Sequence, residues 1–389
     1  MKIANRMENL SPSVTMAITA LARELKAQGK DILSFSAGEP DFDTPEIIKQ
    51  AAIKAINDGQ TKYTAVEGII ATKQAIINKL KKDHNLDYKL DNILISNGAK
   101  HSLFNLFQVL VEEGDEVIIP APYWVTYPEQ VKFSDGVPVF IDTDDSTEFK
   151  ITPEQLKAAI TPKTKVLLLN TPSNPTGSVY TKEELTALGK VLEGTDIIVL
   201  SDEMYEKIIY NGKKFTAAAE VSEDMFKRTV TINGLSKAVA MTGWRFGYLA
   251  SPDVKLVKAL TKLQGQVTSN INTMTQYAAI PALEGDADAD IEMMRAAFEE
   301  RKNIVVKSFN EIKGLSTIDP DGAFYAFVNI KDVTNDSMKF CADLLEQKGV
   351  ALVPGLAFGT EGYVRFSFAT DLATIQEGIK RIKEFVENK

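Results

Sequence analysis

The chain has 389 residues, of which 44% are apolar and 25% charged, and its formal net charge is −9. That length suggests two or three domains with substantial cores, and the acidic balance argues against a nucleic-acid partner, whose phosphates need clustered Lys and Arg. MKIANRMENLSPSVT has no apolar leader, and no run of about 18 uncharged apolar residues follows, so neither export nor a membrane partner is expected and the location is read as cytoplasmic.

Taken in chain order, the first 45 or so residues end in SFSAGEPDFDTP, whose Gly and Pro punctuation marks a turn-rich segment expected to pack with the C-terminal region. Short β-branched runs then alternate with longer amphipathic stretches: NILIS (92–96), EVIIP (116–120), KVLLLN (165–170), DIIVLSD (196–202), TVTIN (229–233) and RFGYLAS (245–251). Several are apolar on both faces, which predicts an α/β fold with a mostly parallel central sheet sandwiched by helices and ligands at the carboxyl ends of its strands. Beyond residue 300 the texture changes. GAFYAFVNI, VALVPG and YVRFSFA read as strands, and DLATIQEGIKRIKEFVENK puts Leu372, Ile375, Ile379, Ile382 and Phe385 on one helical face. The expected division is a large domain over 46–285 and a smaller α+β domain built from 1–45 plus 286–389.

Cys341, the single cysteine, lies in a helical stretch and reads as a buried core thiol. Only His84 and His101 carry imidazoles, so a histidine triad or a zinc cluster is not expected, no metal site is assigned, and acid–base work falls to Lys, Tyr or carboxylates.

Chemistry collects at the strand ends. Gly98, Ala99 and Lys100 lead straight into an amphipathic helix, leaving backbone N–H groups and the positive helix end free for an anion, although a glycine before a helix is also the mark of an ordinary turn. Asn174 sits between Pro172 and Pro175 in a stiff loop. Asp202 ends an apolar strand, with Tyr205 three residues on. A carboxylate there needs a cation or hydrogen-bond donors, or else caps the following turn. Together these positions ask for a ligand anionic at one end, with a cationic ring nitrogen for Asp202 and an oxygen near Asn174 and Tyr205. A phosphorylated pyridine aldehyde fits, with Lys237 as Schiff-base lysine, Arg245 as a second phosphate ligand and Trp124 as a stacking face. A solvated surface lysine is the default for any one Lys. The small, uncharged run from Ala238 to Gly243 argues instead for a desolvated amine at Lys237.

SAGEPDFDTP, KYTAVEG, PYWVTYP, NTPSNPTG, SDEMYE, SKAVAMTGWRFGY and VRFSFA, in this order, span almost the whole chain. The set closely resembles the class I pyridoxal-phosphate-dependent aminotransferases of fold type I, nearest their bacterial aspartate aminotransferase branch. The resemblance implies pyridoxal 5'-phosphate on Lys237, with its phosphate held at Gly98, Ala99, Lys100, Ser236 and Arg245. It implies the ring nitrogen on Asp202, the phenolic oxygen on Asn174 and Tyr205, and the ring stacked on Trp124. Tyr63 matches a tyrosine that reaches the neighbouring subunit's phosphate, which implies a homodimer with shared active sites. Arg365 matches the residue gripping the substrate α-carboxylate, a contact that suits a planar guanidinium. Its neighbours Val364 and Phe366 argue against a mere surface charge. Gly38 and Asn174 complete that grip, and Trp124 borders the substrate.

For the distal end of the substrate, one branch of the family uses an arginine from the partner, but residues 264–274, QGQVTSNINTM, contain none. The other bacterial branch associates this role with a lysine and a threonine, matched by Lys100 and Thr15. The implied reaction moves an amino group between L-aspartate and 2-oxoglutarate. Prephenate or aromatic aminotransfer, or a β-lyase on the same scaffold, are the alternatives. A non-catalytic sensor of this fold would need a DNA-binding segment ahead of it, whereas the scaffold motifs begin within about the first 40 residues.

Overall fold

The structure, a computed structural model, describes residues 1–388. Its strands are β1 (Leu33–Ser34), β2 (Ile93–Asn97), β3 (Glu116–Ala121), β4 (Val137–Asp142), β5 (Thr164–Asn170), β6 (Ile198–Asp202), β7 (Thr229–Gly234), β8 (Phe246–Ala250), β9 (Tyr325–Asn329), β10 (Val350–Ala351), β11 (Val353–Pro354) and β12 (Tyr363–Ser367). Seven form one sheet in the order β2-β8-β7-β6-β5-β3-β4. Its neighbours pair parallel except where β8 meets β2 and β7.

Alternate residues of these strands feed different cores, as a sheet covered on both faces requires. Leu94 and Leu249 join the cluster that holds Leu103 and Phe107, whereas Ile93, Ile95 and Tyr248 pack with Ile76 and Leu80 from the helix Ile70–His84. The first cluster runs without a break into the C-terminal part of the chain through Phe298, Phe309, Phe366 and Phe385, and back to Phe35.

Each expected strand of the large sheet is present, within two residues of its expected ends. β4 was not foreseen. It lies at the sheet edge, mostly unburied, and contains Pro138, so it lacks both the apolar run of a covered strand and the regular donors that mark one. VALVPG, expected as one strand, is two: Val350 pairs with Leu33 in one sheet, and Val353 with Arg365 in another. Leu352 between them is where the chain changes sheets. The C-terminal helix Leu372–Glu387 buries Ile375, Ile379, Ile382 and Phe385, with Leu372 only half-buried at its first turn. Cys341 is buried as expected. Among the described residues, no helix is long and apolar enough to cross a membrane.

The topology gathers one sheet edge into a site. Asn97, Asn170, Asp202 and Gly234 end β2, β5, β6 and β7, whose common direction places them side by side. β8 runs the other way, with Phe246 opposite Asn97 and Gly247 opposite Gly234, so Arg245 enters at that same edge.

Candidate active site

A cavity of about 280 Å³ opens above this edge. The helix Ala99–Leu110 starts at its wall with no side chain capping its first turn, and Ala99 and Lys100 line the cavity. Gly98 precedes them at φ 82° and ψ 159°, a conformation that side-chain-bearing residues avoid. A Cβ built there would lie 2.6 Å from Arg245 Nη2. Gly247 makes an equally close passage, since its Cβ would lie 2.4 Å from the Ala99 nitrogen. Arg245 itself has φ 60° and is held by bonds donated to the carbonyls of Thr242 (2.8 Å) and Asn97 (3.4 Å). Uncapped N–H groups beside a guanidinium form a ready anion cradle.

Asp202, 4% exposed, accepts a hydrogen bond from Tyr127 Oη at 2.7 Å and one from the Met204 N–H at 3.3 Å. Both readings of this residue therefore hold, because it caps the next turn and also faces the cavity. Burial pushes its carboxyl up to about 6, against the pull of Tyr127, Met204 and the Lys237 charge. Lys237 moves the opposite way. Burial first, then the charges of Arg365 and Arg245, lower its amine to about 8, with Glu39 and Asp202 opposing. Its Nζ donates to the Gly38 carbonyl and stands 5.9 Å from the ring centres of Tyr205 and Phe324. A lysine and an acid brought toward each other's range inside one cavity are equipped for proton transfer near neutrality.

At the other end, Arg365 is 2% exposed, donates to Asn174 Oδ1 at 2.9 Å and to the Ser36 carbonyl at 2.8 Å, and lies 4.5 Å from the Tyr325 ring centre. Among the described residues its Nε has no partner and no carboxylate pairs with it, so an anionic ligand is the missing counterpart. With the Asn174 oxygen committed to Arg365, its amide nitrogen remains as a donor. Lys100 Nζ lies 4.7 Å from the Trp124 ring centre, and burial together with Arg245 lowers its pKa. The buried Thr15 Oγ1, also facing the cavity, has no partner.

All the expected site residues but Gly98 and Tyr63 line one cavity, Ser236 and Gly38 included, and Gly98 stands directly before Ala99 at its wall. Tyr63 is 90% exposed and lines a separate depression with Thr61 and Asn270 to Met274. Sequence reasoning missed Tyr127 and Tyr325. Tyr127 was within sight, three residues after Trp124 and so on the same side of a helical turn. Tyr325, whose hydroxyl lies 2.9 Å from that of Tyr205, comes from β9 across the fold and left no local signal.

The family model for aminotransferase class I and II matches residues 30–382. The chain belongs to that family. It is 49% identical to an aspartate aminotransferase of Bacillus subtilis, over 100% of this chain and 99% of the relative. It is 48% identical to an aspartate/prephenate aminotransferase of Nitrosomonas europaea, over 98% of this chain and 99% of the relative. A solved aspartate aminotransferase from Thermus thermophilus with maleate superposes with a TM-score of 0.95 at 38% identity, covering 99% of both chains. The protein is accordingly a pyridoxal-phosphate-dependent aminotransferase of the α/β fold inferred above. The residues fit that cofactor on structural grounds alone. An anion cradle at Gly98 and Arg245, an amine lowered to about 8 and a buried acid at Asp202 are the kinds of group that a phosphate, an aldehyde and a ring nitrogen call for.

Proposed function

We propose that this aminotransferase exchanges the amino group between L-aspartate and 2-oxoglutarate. The observation that carries the reading is what lines the cavity: Arg365 with its unpaired Nε, the Lys100 ammonium and the unpaired Thr15 hydroxyl. Two cations, Arg365 and Lys100, beyond the Arg245 assigned to the phosphate and the Lys237 assigned to the aldehyde, suit a substrate with two carboxylates. Aspartate chemistry also stands in the names of the relatives from Bacillus and Thermus.

When bound, pyridoxal phosphate supplies a carbonyl for the amino group and a sink for the electrons of the Cα–H bond. Lys237 Nζ would hold the cofactor, and its amine, lowered to about 8, would take up and give back the substrate's Cα proton. Such positioned proton transfer contributes roughly 10²- to 10⁴-fold. Asp202 keeps a negative charge against the ring nitrogen. Asn174 and Tyr205 would donate to the phenolic oxygen, Trp124 would cover a ring face, and Ala99, Lys100, Ser236 and Arg245 would hold the phosphate. Arg365 grips the α-carboxylate with help from Asn174 and the Gly38 backbone, while Lys100 and Thr15 read the distal carboxylate.

Tyr63, exposed on its own chain, serves the active site of a second copy, so the working unit is a homodimer with shared sites. Exposed Ile47, Ile53, Ile56, Ile70 and Val267 supply apolar surface for such an interface. The enzyme is cytoplasmic. Residues 46–285 form its large domain, and 1–45 with 286–389 a small domain that moves over the cavity. The β1–β10 pairing, which ties the two ends of the chain together, supports that division.

The test is substrate profiling with aspartate, glutamate, prephenate and aromatic partners, using wild type and Lys100→Ala. The variant should lose about tenfold or more in kcat/KM with dicarboxylates, the scale of one charge-assisted contact, and little with phenylalanine. Equal losses on both classes would refute the role of Lys100. Prephenate, itself a dicarboxylate, is the second reading because the Nitrosomonas relative's name includes it. Elimination without amino transfer would instead indicate a β-lyase.

A further inference from the structure

Behind the site lies a buried set of charges to which the chemistry above assigns no role. At the end of β6 and in the turn after it, Asp202, Met204 and Tyr205 line the cavity, whereas Glu203 and Glu206 do not. Glu206 is 7% exposed. Its Oε1 lies 2.5 Å from Lys79 Nζ and its Oε2 2.9 Å from His84 Nε2, both on the last turns of the helix Ile70–His84. His84 Nδ1 reaches Glu220 Oε2 at 3.2 Å, and Asp83 lies 2.8 Å from Lys207 and 3.3 Å from Lys79. Glu203, fully buried, accepts from the Ser201 hydroxyl at 2.8 Å and the Ala218 N–H at 3.3 Å.

Asp83, His84 and Glu206 bring ligand atoms within 4.8 Å of one another. The ammonium groups of Lys79 and Lys207 already occupy these carboxylates, so the cluster is closed to a cation. Burial opposes charge on Glu206, yet Lys79 and His84 hold it well below the usual carboxylate range. His84 is likewise raised to about 9 by Glu206 and Glu220 despite its burial. Glu206 and His84 are therefore ionised at neutral pH. A buried ion pair adds little net stability over well-packed apolar residues of the same volume. What it does impose is direction, since charged, hydrogen-bonded partners tolerate only narrow geometry.

We propose that Glu206, gripped from behind by Lys79 and His84, is a positioning residue that sets the turn so that Asp202 and Tyr205 meet the cofactor together. The proposal rests on the cofactor roles read above for those two residues. Glu206 is one residue beyond Tyr205 and four beyond Asp202, so a shift of its carboxylate is passed along a turn already tied by the Glu206 N–H to the Glu203 carbonyl at 3.0 Å. The same helix that supplies Lys79 and His84 starts two residues after Gly68, in the stretch that carries Tyr63.

The experiment compares Glu206→Gln, His84→Gln and the paired Lys79→Met/Glu206→Met with wild type. Three quantities are measured: the dissociation constant of pyridoxal phosphate from reconstituted protein, the pH midpoint of the bound cofactor's visible absorbance, and the melting temperature of the cofactor-free form. Cofactor affinity should fall about tenfold or more in Glu206→Gln, the scale on which partners of a cofactor's ligands act, and less in His84→Gln. The absorbance midpoint should move by about half a pH unit or more. The paired Met variant removes both charges together, so its melting temperature should return to within about 4 °C of wild type while both cofactor defects persist. A cluster that merely stabilises the fold predicts the reverse. Wild-type affinity and midpoint in the paired variant, or in every folded variant, would overturn the proposal. Asp202→Asn is measured alongside. If it leaves affinity and absorbance unchanged, the reading of Asp202 itself fails, and with it the premise for Glu206.

Discussion

Lys237→Met should stabilise the cofactor-free protein at neutral pH and lose that advantage as pH rises. The folded chain lowers this amine to about 8 from an ordinary 10.5, chiefly by burial, with Arg365 and Arg245 adding to the effect and Glu39 and Asp202 opposing it. Between about pH 8 and 10.5 the unfolded chain therefore holds a proton that the folded chain does not, and wild-type stability climbs with pH through that window. Below about 8 both states are protonated and the full penalty applies. The gap of roughly 2.5 units (10.5 minus 8), at 1.36 kcal/mol per unit, is about 3 kcal/mol. The methionine variant lacks this penalty but also loses the bond to the Gly38 carbonyl, worth about 1 kcal/mol. Its net advantage at pH 7 should be about 2 kcal/mol, and the difference from wild type should swing by about 3 kcal/mol by pH 10.5. Urea unfolding of both cofactor-free proteins at fixed protein concentration, at pH 7, 8, 9 and 10.5, gives the difference directly. His84, raised to about 9, and Glu203, raised to about 7, also titrate here, but they are common to both proteins and cancel. A stability difference that stays flat from pH 7 to 10.5 would refute a desolvated Lys237.

Arg365→Lys should lower kcat/KM by about 10- to 100-fold with every amino acid substrate, because a point charge replaces a planar fork whose lost charge-assisted bond is worth about 1.5–3 kcal/mol. Steady-state kinetics on aspartate and phenylalanine check this, and a loss confined to aspartate would contradict the α-carboxylate role. Gly98→Ala should cost about 1–3 kcal/mol of stability from its backbone conformation. It should also weaken cofactor binding, since the new Cβ at 2.6 Å displaces the Arg245 guanidinium. Thermal unfolding and cofactor titration measure the two effects, and unchanged cofactor affinity would remove Arg245 and Gly98 from the phosphate cradle.

The covered strands of the central sheet were legible because a strand buried on both faces carries apolar residues at successive positions, as Val117, Ile118 and Ile119 of β3, Val166 to Leu169 of β5 and Ile198 to Leu200 of β6 do, while β7 announced itself by β-branched Thr229 to Ile232. β4 escaped because an exposed edge strand lacks that constraint. The partition of VALVPG between two sheets depended on partners more than 300 residues upstream at Leu33 and a short distance downstream at Arg365. In the cavity, residues with an obligatory chemical type stood out against their local sequence: a lysine among small residues, an acid ending an apolar strand, an arginine between Val364 and Phe366. Tyr127 and Tyr325 did not, since a tyrosine at helical spacing or in an apolar strand reads equally well as core.

By itself, the sequence determined the element types, the order of the strands along the chain, the candidate chemistry and the family resemblance. These depend on local periodicity and on residue identity. The tertiary structure alone decided that β8 runs antiparallel and so delivers Arg245 to the edge where Asp202 ends. It also decided that Tyr127 binds Asp202, that Tyr325 meets Tyr205, and that Lys79 and His84 close on Glu206 from behind. The reason is physical. The desolvation that lowers Lys237 and raises Asp202 belongs to the surroundings rather than to either residue, and those surroundings exist only once distant segments have packed together.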